Sequence, residues 1–209
     1  MLVKQYPGRV HTVVLDTSDE ASVKAAAARV DSILPGGIDV LINCAGVADD
    51  KHVSALQTEG SDYLRVLRVN TVGSFLMTQA FYPLLKKRDT RTVVNVSSLL
   101  GSISIHRAGG TPVTGMIVAY TSSKAALNMQ TAVLAGALKD EGFTVVATCP
   151  GWVDTDMGSR SSTLEATGGA KPDLTVEQST ERHLALIAKL TKVDNGKYFS
   201  AAEDKELPY

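Results

Sequence analysis

The amino-acid sequence predicts an α/β fold with a doubly wound parallel sheet. Short β-branched runs alternate along the chain with longer stretches of helical periodicity, which is the order typical of βαβ units. Most of the short runs are almost continuously apolar, as strands covered by helices on both faces must be. The predicted strands are residues 10–16, 38–44, 92–97, 144–149 and 197–200.

Two helices are predicted from capping sequences at their starts. Thr17 with Glu20, and Thr175 with Gln178, place a hydroxyl three residues before a long polar side chain, so that each side chain can bond the backbone amide of the other residue. Residues 159–173 are rich in Ser, Thr and Gly, and we expect them to form a mobile lid or substrate loop.

Size and composition limit the classes of function. A length of 209 residues with 44% hydrophobic residues indicates one globular domain over residues 1–209. The net charge of −1 and the lack of a Lys/Arg block argue against nucleic acid or a membrane surface as partner and favour a small ligand. No apolar run reaches the roughly 18 residues of a spanning helix, and no secretion signal is found, so the expected compartment is the cytosol.

The two cysteines, Cys44 and Cys149, lie in separate apolar segments. They show no CxxC spacing and no clustered histidine, so neither a metal site nor a disulfide framework is predicted. We expect both to be buried free thiols.

The strongest local signal for chemistry is the pair Tyr120 and Lys124, because residues four apart on a helix lie on the same face. An unperturbed tyrosine titrates near pH ~10, and a neighbouring ammonium would lower that pKa and make the phenol a better acid-base catalyst. By spacing alone, such a pair is a common accident of helical surfaces.

Ser98 follows the predicted strand 92–97, at the edge of a parallel sheet where ligands bind. Its hydroxyl could polarise a carbonyl oxygen while Tyr120 delivers a proton. The alternative interpretation is that Ser98 caps a turn or helix, as many serines after strands do.

Four further motifs occur in order along the chain. They are Asp16, Asn43-Cys44-Ala45-Gly46, Asn70 and Pro150-Gly151-Trp152-Val153-Asp154-Thr155. Each has an ordinary structural explanation: a helix start for Asp16, a polar helix position for Asn70, a turn for Pro150 and Gly151. Together with the Ser98 and Tyr120 motifs, however, they cover nearly the whole chain, and in this order they resemble the short-chain dehydrogenase/reductase family. Cys44 stands where that family has a second asparagine.

The resemblance implies a Rossmann-like fold and an oxidoreductase that interconverts a carbonyl and a secondary alcohol with NADP, or alternatively NAD. It also implies a homodimer or homotetramer. The catalytic residues it implies are Asn70, Ser98, Tyr120 and Lys124. The cofactor-binding residues it implies are Asp16, Asn43, Ala45, Gly46, Tyr120, Lys124, Pro150, Gly151, Val153 and Thr155.

The sequence departs from the family pattern at the phosphate site. The family opens with a glycine-rich turn that receives the cofactor pyrophosphate, whereas none of the 17 glycines here forms even a Gly-x-Gly element. Relative to the family, the fold is therefore expected to be truncated at its amino-terminal side, with the first two strands missing. We expect strand 10–16 to pair directly with strand 38–44, rather than leave an exposed sheet edge.

The carboxyl-terminal sequence and the segment before Tyr120 suggest a branch of the family. Gly196-Lys197-Tyr198-Phe199 with Leu207-Pro208-Tyr209 resembles the C-factor-like carbonyl reductases, and the long segment between Ser98 and Tyr120, which contains residues 107–112, is also seen in that branch.

Two other functions compete with the oxidoreductase hypothesis. A noncatalytic relic or binding module would keep the scaffold without holding the dinucleotide. A serine hydrolase using Ser98 and His106 is disfavoured, because the sequence lacks a Gly-x-Ser-x-Gly elbow.

Overall fold

The computed structural model describes residues 2–49, 54–110, 117–159 and 167–209. Its strands form one sheet in the order β1-β2-β3-β4-β5, in which β1 to β4 are parallel and β5 returns antiparallel to β4. Their bounds are β1 Val40–Asn43, β2 Thr92–Val96, β3 Thr144–Cys149, β4 Tyr198–Ser200 and β5 Lys205–Glu206. The α/β fold and four of the predicted strands are thus confirmed.

Helices fill the connections between the parallel strands. In the described residues they are α1 Leu2–Gln5, α2 Glu20–Ile33, α3 Gly60–Leu67, α4 Ser74–Lys86, α5 Ile103–Arg107, α6 Val118–Ala137 and α7 Val176–Lys189, with a π-helical turn Arg68–Gly73 between α3 and α4. None of these helices is both long enough and apolar enough to cross a membrane.

The main apolar core lies between the sheet and the helices α2, α4 and α6. Side chains from one face of neighbouring strands meet helix side chains there, and Val93 and Val145 at its centre are fully buried. Leu85 of α4 and Ala135 of α6 complete the contact. Burial of this face holds the two helices, α4 and α6, on the same side of the sheet.

A buried polar layer continues this face toward the carboxyl ends of the strands. Asn43 and Asn95 are register partners on β1 and β2, and the Asn43 Nδ2 donates to Asn95 Oδ1 at 2.8 Å. The Asn95 Nδ2 donates in turn to Thr131 Oγ1 of α6 at 2.9 Å. These bonds fix the position of α6 along the sheet, because a shift of the helix would leave a buried amide group without a hydrogen-bond partner and would lower the stability of the fold.

The prediction of a strand at residues 10–16, paired with strand 38–44, is wrong. The segment makes no sheet pairing, and Val14 is 98% exposed. Its carboxyl end is held by helix contacts instead: Arg68 Nε donates to the carbonyl of Ser18 at 2.9 Å, and the backbone of Thr17 packs on Gly73. An apolar β-branched run becomes a strand only where a neighbouring strand offers its edge.

The cysteine prediction holds for Cys149, which is buried, and is wrong for Cys44, which is exposed. Buried and exposed side chains alternate along β1, where Leu41 and Asn43 are buried and Ile42 is 44% exposed, and the exposed Cys44 continues this alternation. One face of β1 therefore lies open in the described residues, whereas the sequence predicted cover on both faces.

The two capping predictions had different outcomes. The box formed by Thr175 and Gln178 is present at the start of α7. Helix α2 does begin at Glu20, but its cap is Asp19, whose carboxylate accepts the Ala21 N–H at 3.0 Å. Of the predicted lid at 159–173, residues 160–166 lie outside the described residues, as do Thr111 and Pro112 of the segment before Tyr120.

Candidate active site

The candidate site lies at the edge of the sheet where β1, β2 and β3 end. The loop after β1 carries Ala45 and Gly46, the turn after β2 carries Ser98, and the segment after β3 begins at Pro150. Because the carboxyl ends of parallel strands share one edge, these three connections converge there. Helix α6, which packs on one face of the sheet, carries Tyr120 and Lys124.

Tyr120 and Lys124 lie on one face of α6, one turn apart. The Lys124 Nζ is 5.6 Å from the centre of the Tyr120 ring and donates to the carbonyl oxygen of Val96 at 2.8 Å. The lysine side chain is only 4% exposed. The prediction that the Tyr120 phenol and the Lys124 ammonium lie next to each other is confirmed.

Ser98 faces Tyr120 closely enough for its side chain to lower the pKa of the phenol. Ser98 also precedes a short 3-10 turn, and its Oγ accepts the N–H of Leu100 at 3.3 Å. The interpretation that the serine caps a turn is therefore confirmed, and its role in polarising a carbonyl stays a prediction.

Burial dominates the protonation of this pair. Burial raises the pKa of Tyr120 to about 12, and the nearby side chain of Ser98 lowers this pKa only in part. Burial also lowers the pKa of Lys124 to about 8. The expectation that Lys124 depresses the tyrosine pKa is therefore wrong for the protein alone. Removal of the phenol from water outweighs an ammonium that is directed at Val96.

Asn70 joins the loop after β1 to α6. It lies in the π-helical turn and is 1% exposed. Its Oδ1 accepts the N–H of Val47 at 2.8 Å, and its Nδ2 donates to the carbonyl of Val47 at 2.8 Å and to Ser123 Oγ at 2.9 Å. A side chain with this many bonds fixes the loop rather than facing solvent.

Two glycines lie close to Lys124, and only one of them, Gly101, is required there by the lack of space for a side chain. A Cβ on Gly46 would lie 3.6 Å from the Lys124 Nζ and 3.5 Å from Asn70 Oδ1. A Cβ on Gly101 would lie 2.8 Å from the Lys124 Cβ and 2.7 Å from its carbonyl carbon, which no real Cβ tolerates. Gly101 thus lets the turn after Ser98 lie directly against α6.

The residues predicted to bind cofactor fall into two groups. Ala45, Gly46, Pro150 and Gly151 lie in the loops at the carboxyl edge of the sheet, together with Val153 and Thr155. Asn43 instead directs its amide into the core, where it donates to Thr78 Oγ1 at 3.1 Å as well as to Asn95. Asp16 is exposed, and hydrogen bonds from Ser18 hold its pKa below the usual value.

Several residues around the site were not predicted to take part in it. Ser97 Oγ donates to Asn128 Oδ1 at 2.6 Å, and Asn128 Nδ2 donates to the carbonyl of Gly101 at 3.2 Å. Asp49 accepts the backbone N–H of Tyr120 at 2.9 Å. Spacing along α6 could have indicated Asn128, which follows Lys124 by one turn, but nothing in the sequence pattern marks Asp49.

The geometry does not support a serine hydrolase. The His106 Nε2 lies 2.9 Å from the carbonyl oxygen of Leu100, whereas the hydroxyl of Ser98 accepts the N–H of Leu100. The ring of His106 is thereby directed at a backbone carbonyl.

Comparison with known proteins identifies the family. The family model for short chain dehydrogenases matches residues 2–166. The chain belongs to the short-chain dehydrogenase family. Among related proteins, it is 34% identical to an uncharacterized oxidoreductase of Saccharomyces cerevisiae over 198 residues, 91% of this chain and 74% of that protein. It is also 34% identical to the C-signal protein of Myxococcus xanthus over 178 residues, 85% of this chain and 96% of that protein.

Solved structures of short-chain dehydrogenases have the same fold. An NADPH-bound carbonyl reductase from chicken fatty liver matches 100% of this chain and 80% of its own, with 32% identity and a TM-score of 0.85. The carbonyl reductase Sniffer of Drosophila melanogaster matches 100% of this chain and 81% of its own, with 30% identity and a TM-score of 0.86.

Proposed function

We propose that this protein is an NADP-dependent oxidoreductase, with NAD as the alternative cofactor, and that residues 1–209 act as one domain. It would interconvert a carbonyl group and a secondary alcohol on a small organic substrate. The observation that carries the proposal is the placement of the buried Lys124 ammonium 5.6 Å from the centre of the Tyr120 ring, at the carboxyl edge of a parallel sheet where Ser98 follows β2. The similarity to an NADPH-bound carbonyl reductase over the whole chain supports it.

Tyr120 acts as the acid when a carbonyl is reduced. With a pKa raised to about 12, its phenol stays protonated at neutral pH, which is the state required of a proton donor to the carbonyl oxygen. Ser98 donates a hydrogen bond to the same oxygen and stabilises the charge that develops there. In the reverse direction the tyrosine oxygen takes the proton from the alcohol, which requires its pKa to fall on ligand binding.

The residues present fit the nicotinamide and ribose end of a dinucleotide. When bound, that cofactor supplies the hydride. Lys124 uses one N–H on Val96 and keeps further donors for a ribose hydroxyl, while Gly46 leaves the space above it free of a side chain. Val153 and Thr155 are assigned to the nicotinamide carboxamide. The sequence contains no Gly-x-Gly turn, and no residue is assigned to the pyrophosphate.

Substitution of the tyrosine tests the proposal directly. Tyr120→Phe should reduce turnover of a panel of ketones with NADPH by at least about a hundredfold, because only the proton donor is lost. Tyr82→Phe is the matched control, since Tyr82 is a helix tyrosine whose hydroxyl donates to Glu141 at 2.6 Å, away from Lys124. Undiminished turnover in Tyr120→Phe would reject the assigned role.

The hypothesis that competes with the oxidoreductase is a noncatalytic module that does not hold the dinucleotide. Titration of the protein with NADPH and with NADH, with binding followed calorimetrically, separates the two hypotheses. Saturation below about 1 mM supports the oxidoreductase. No saturation at that concentration, together with no ketone turnover, selects the binding module.

We also propose that the protein forms a homodimer or homotetramer. Apolar side chains stand exposed along α4 and α6, among them Phe75, Met129 and Val133, which are 41%, 66% and 61% exposed. A contiguous patch formed by such side chains would be typical of an association surface. Sedimentation of the wild type and of Met129→Lys tests the proposal, and a wild type that sediments as a monomer would reject it.

A further inference from the structure

Asp49 is a buried carboxylate beside the first turn of α6, the helix that carries Tyr120 and Lys124. Its side chain is 1% exposed. The Oδ2 accepts the backbone N–H of Tyr120 at 2.9 Å, whereas the Oδ1 is buried and accepts no hydrogen bond from any residue that the structure describes. A buried carboxylate with one engaged oxygen is expensive, so its contact with Tyr120 calls for an explanation.

Among the described residues, helix α6 has no side-chain cap from its own N-terminal segment. Ile117, the residue before it, has a left-handed backbone with φ +45° and provides no side-chain acceptor. The first N–H groups of a helix need acceptors from outside it. Asp49, which is 71 residues distant in sequence, supplies one, and its negative charge also suits the positive end of the helix dipole.

The position of Asp49 is itself fixed by two neighbours of its loop. Asn70 makes two hydrogen bonds with the backbone of Val47, both at 2.8 Å. The Arg65 Nη2 donates to the carbonyl oxygen of Ala48 at 3.0 Å. The carboxylate is therefore presented from a constrained backbone, and displacement of α6 would break its bond to Tyr120.

We propose that Asp49 is a positioning residue for the reaction: by holding the amide of Tyr120, it sets where the phenol of the same residue lies relative to Lys124. This inference rests on the proposed function. The amide and the phenol share one Cα, so a shift in the first turn of α6 moves the hydroxyl as well. Small errors of placement at a proton donor reduce the rate of reaction far more than the affinity for substrate.

The test compares Asp49→Ala with Asp49→Asn, whose amide oxygen can accept the same N–H. In Asp49→Ala, kcat should fall about tenfold or more while KM stays within about twofold, and the Tyr120 amide should exchange with solvent about tenfold faster by NMR. Asp49→Asn should restore kcat and the slow exchange. Should Asp49→Ala fail to fold, Asp49→Ser serves in its place, because its hydroxyl is too short to reach the amide.

Asp19→Ala is the matched control. Asp19 caps α2 through the Ala21 N–H at 3.0 Å, so its loss removes an equivalent carboxylate cap from a helix that carries none of the proposed catalytic residues. This variant should unfold at lower temperature and retain kcat within about twofold of the wild type.

The remaining outcomes separate the two claims. Wild-type kcat in Asp49→Ala, despite faster exchange of the Tyr120 amide, would overturn the positioning role and leave the oxidoreductase proposal intact. A loss that appears in KM instead of kcat would also overturn it. A wild type without turnover would reject the proposed function, and the positioning role with it.

Discussion

The ammonium of Lys124 donates a 2.8 Å hydrogen bond to the carbonyl oxygen of Val96, the last residue of β2. This bond draws the lysine head under the turn that carries Ser98 and away from water, and burial lowers its pKa to about 8. The protonation state of Lys124 therefore affects the free energy of unfolding.

The first prediction concerns the pH dependence of stability. Between the folded pKa of Lys124, about 8, and its ordinary value of 10.5, the unfolded chain binds a proton that the folded chain does not. Stability should therefore rise with pH across this window, by up to roughly 3 kcal/mol relative to Lys124→Met. Denaturant unfolding of both proteins at several pH values measures it. An unchanging difference between the two would contradict the lowered pKa.

The second prediction concerns the contact of Gly101 with α6. Gly101→Ala would drive a Cβ into the backbone of Lys124, so we expect a loss of about 1–3 kcal/mol in the free energy of unfolding and a fall in turnover. Gly136→Ala is the control, because Gly136 lies in α6 itself and, in the described structure, a Cβ there would meet no atom within 4 Å beyond the neighbouring backbone of its own helix. That substitution should stabilise the protein by about 0.5–1 kcal/mol.

The third prediction tests the buried polar layer. Asn95→Ala removes the acceptor of the Asn43 amide and the donor to Thr131, and leaves a space beside them. We expect a loss of about 2–4 kcal/mol in the free energy of unfolding, measured from the midpoint in urea. A loss below about 0.5 kcal/mol would mean that the layer contributes specificity without stability.

The fourth prediction concerns acid sensitivity at His183 of α7. Its Nε2 lies 2.6 Å from Thr148 Oγ1 of β3, and burial lowers its pKa below the ordinary 6.5. As the pH falls through 6.5, the unfolded chain takes up a proton that the folded chain resists, so stability declines. His183→Gln keeps a polar side chain without this titration. Its melting temperature should fall less than that of the wild type between about pH 7 and pH 5.

The sequence was informative where chemistry is encoded by local spacing. Tyr120 and Lys124 are four residues apart, and helical geometry alone brings them together. Ser98 follows a strand whose apolar pattern is unmistakable, so its place at the sheet edge could be predicted. Their protonation could not be, because the pKa of each group depends on burial by segments distant in sequence.

The sequence was uninformative where a residue depends on a distant neighbour. Residues 10–16 have strand composition, yet no strand lies beside them in the described structure. Asp49 has no periodic or motif context, because its partner, the amide of Tyr120, is a backbone group that every residue except proline offers. Gly101 resembles any turn glycine until α6 is packed against it.

The position of β1 at the edge of the described sheet has a consequence for ligand binding. In the portion of the molecule that the structure describes, β1 hydrogen-bonds to β2 alone, and edge strands open more readily than central ones. The loop from Cys44 to Asp49 extends from this strand and reaches Lys124 and α6. A ligand that contacts both this loop and α6 would restrain the strand. Slower hydrogen exchange of the backbone amides of Val40–Asn43 would therefore detect ligand binding at residues that do not contact the ligand.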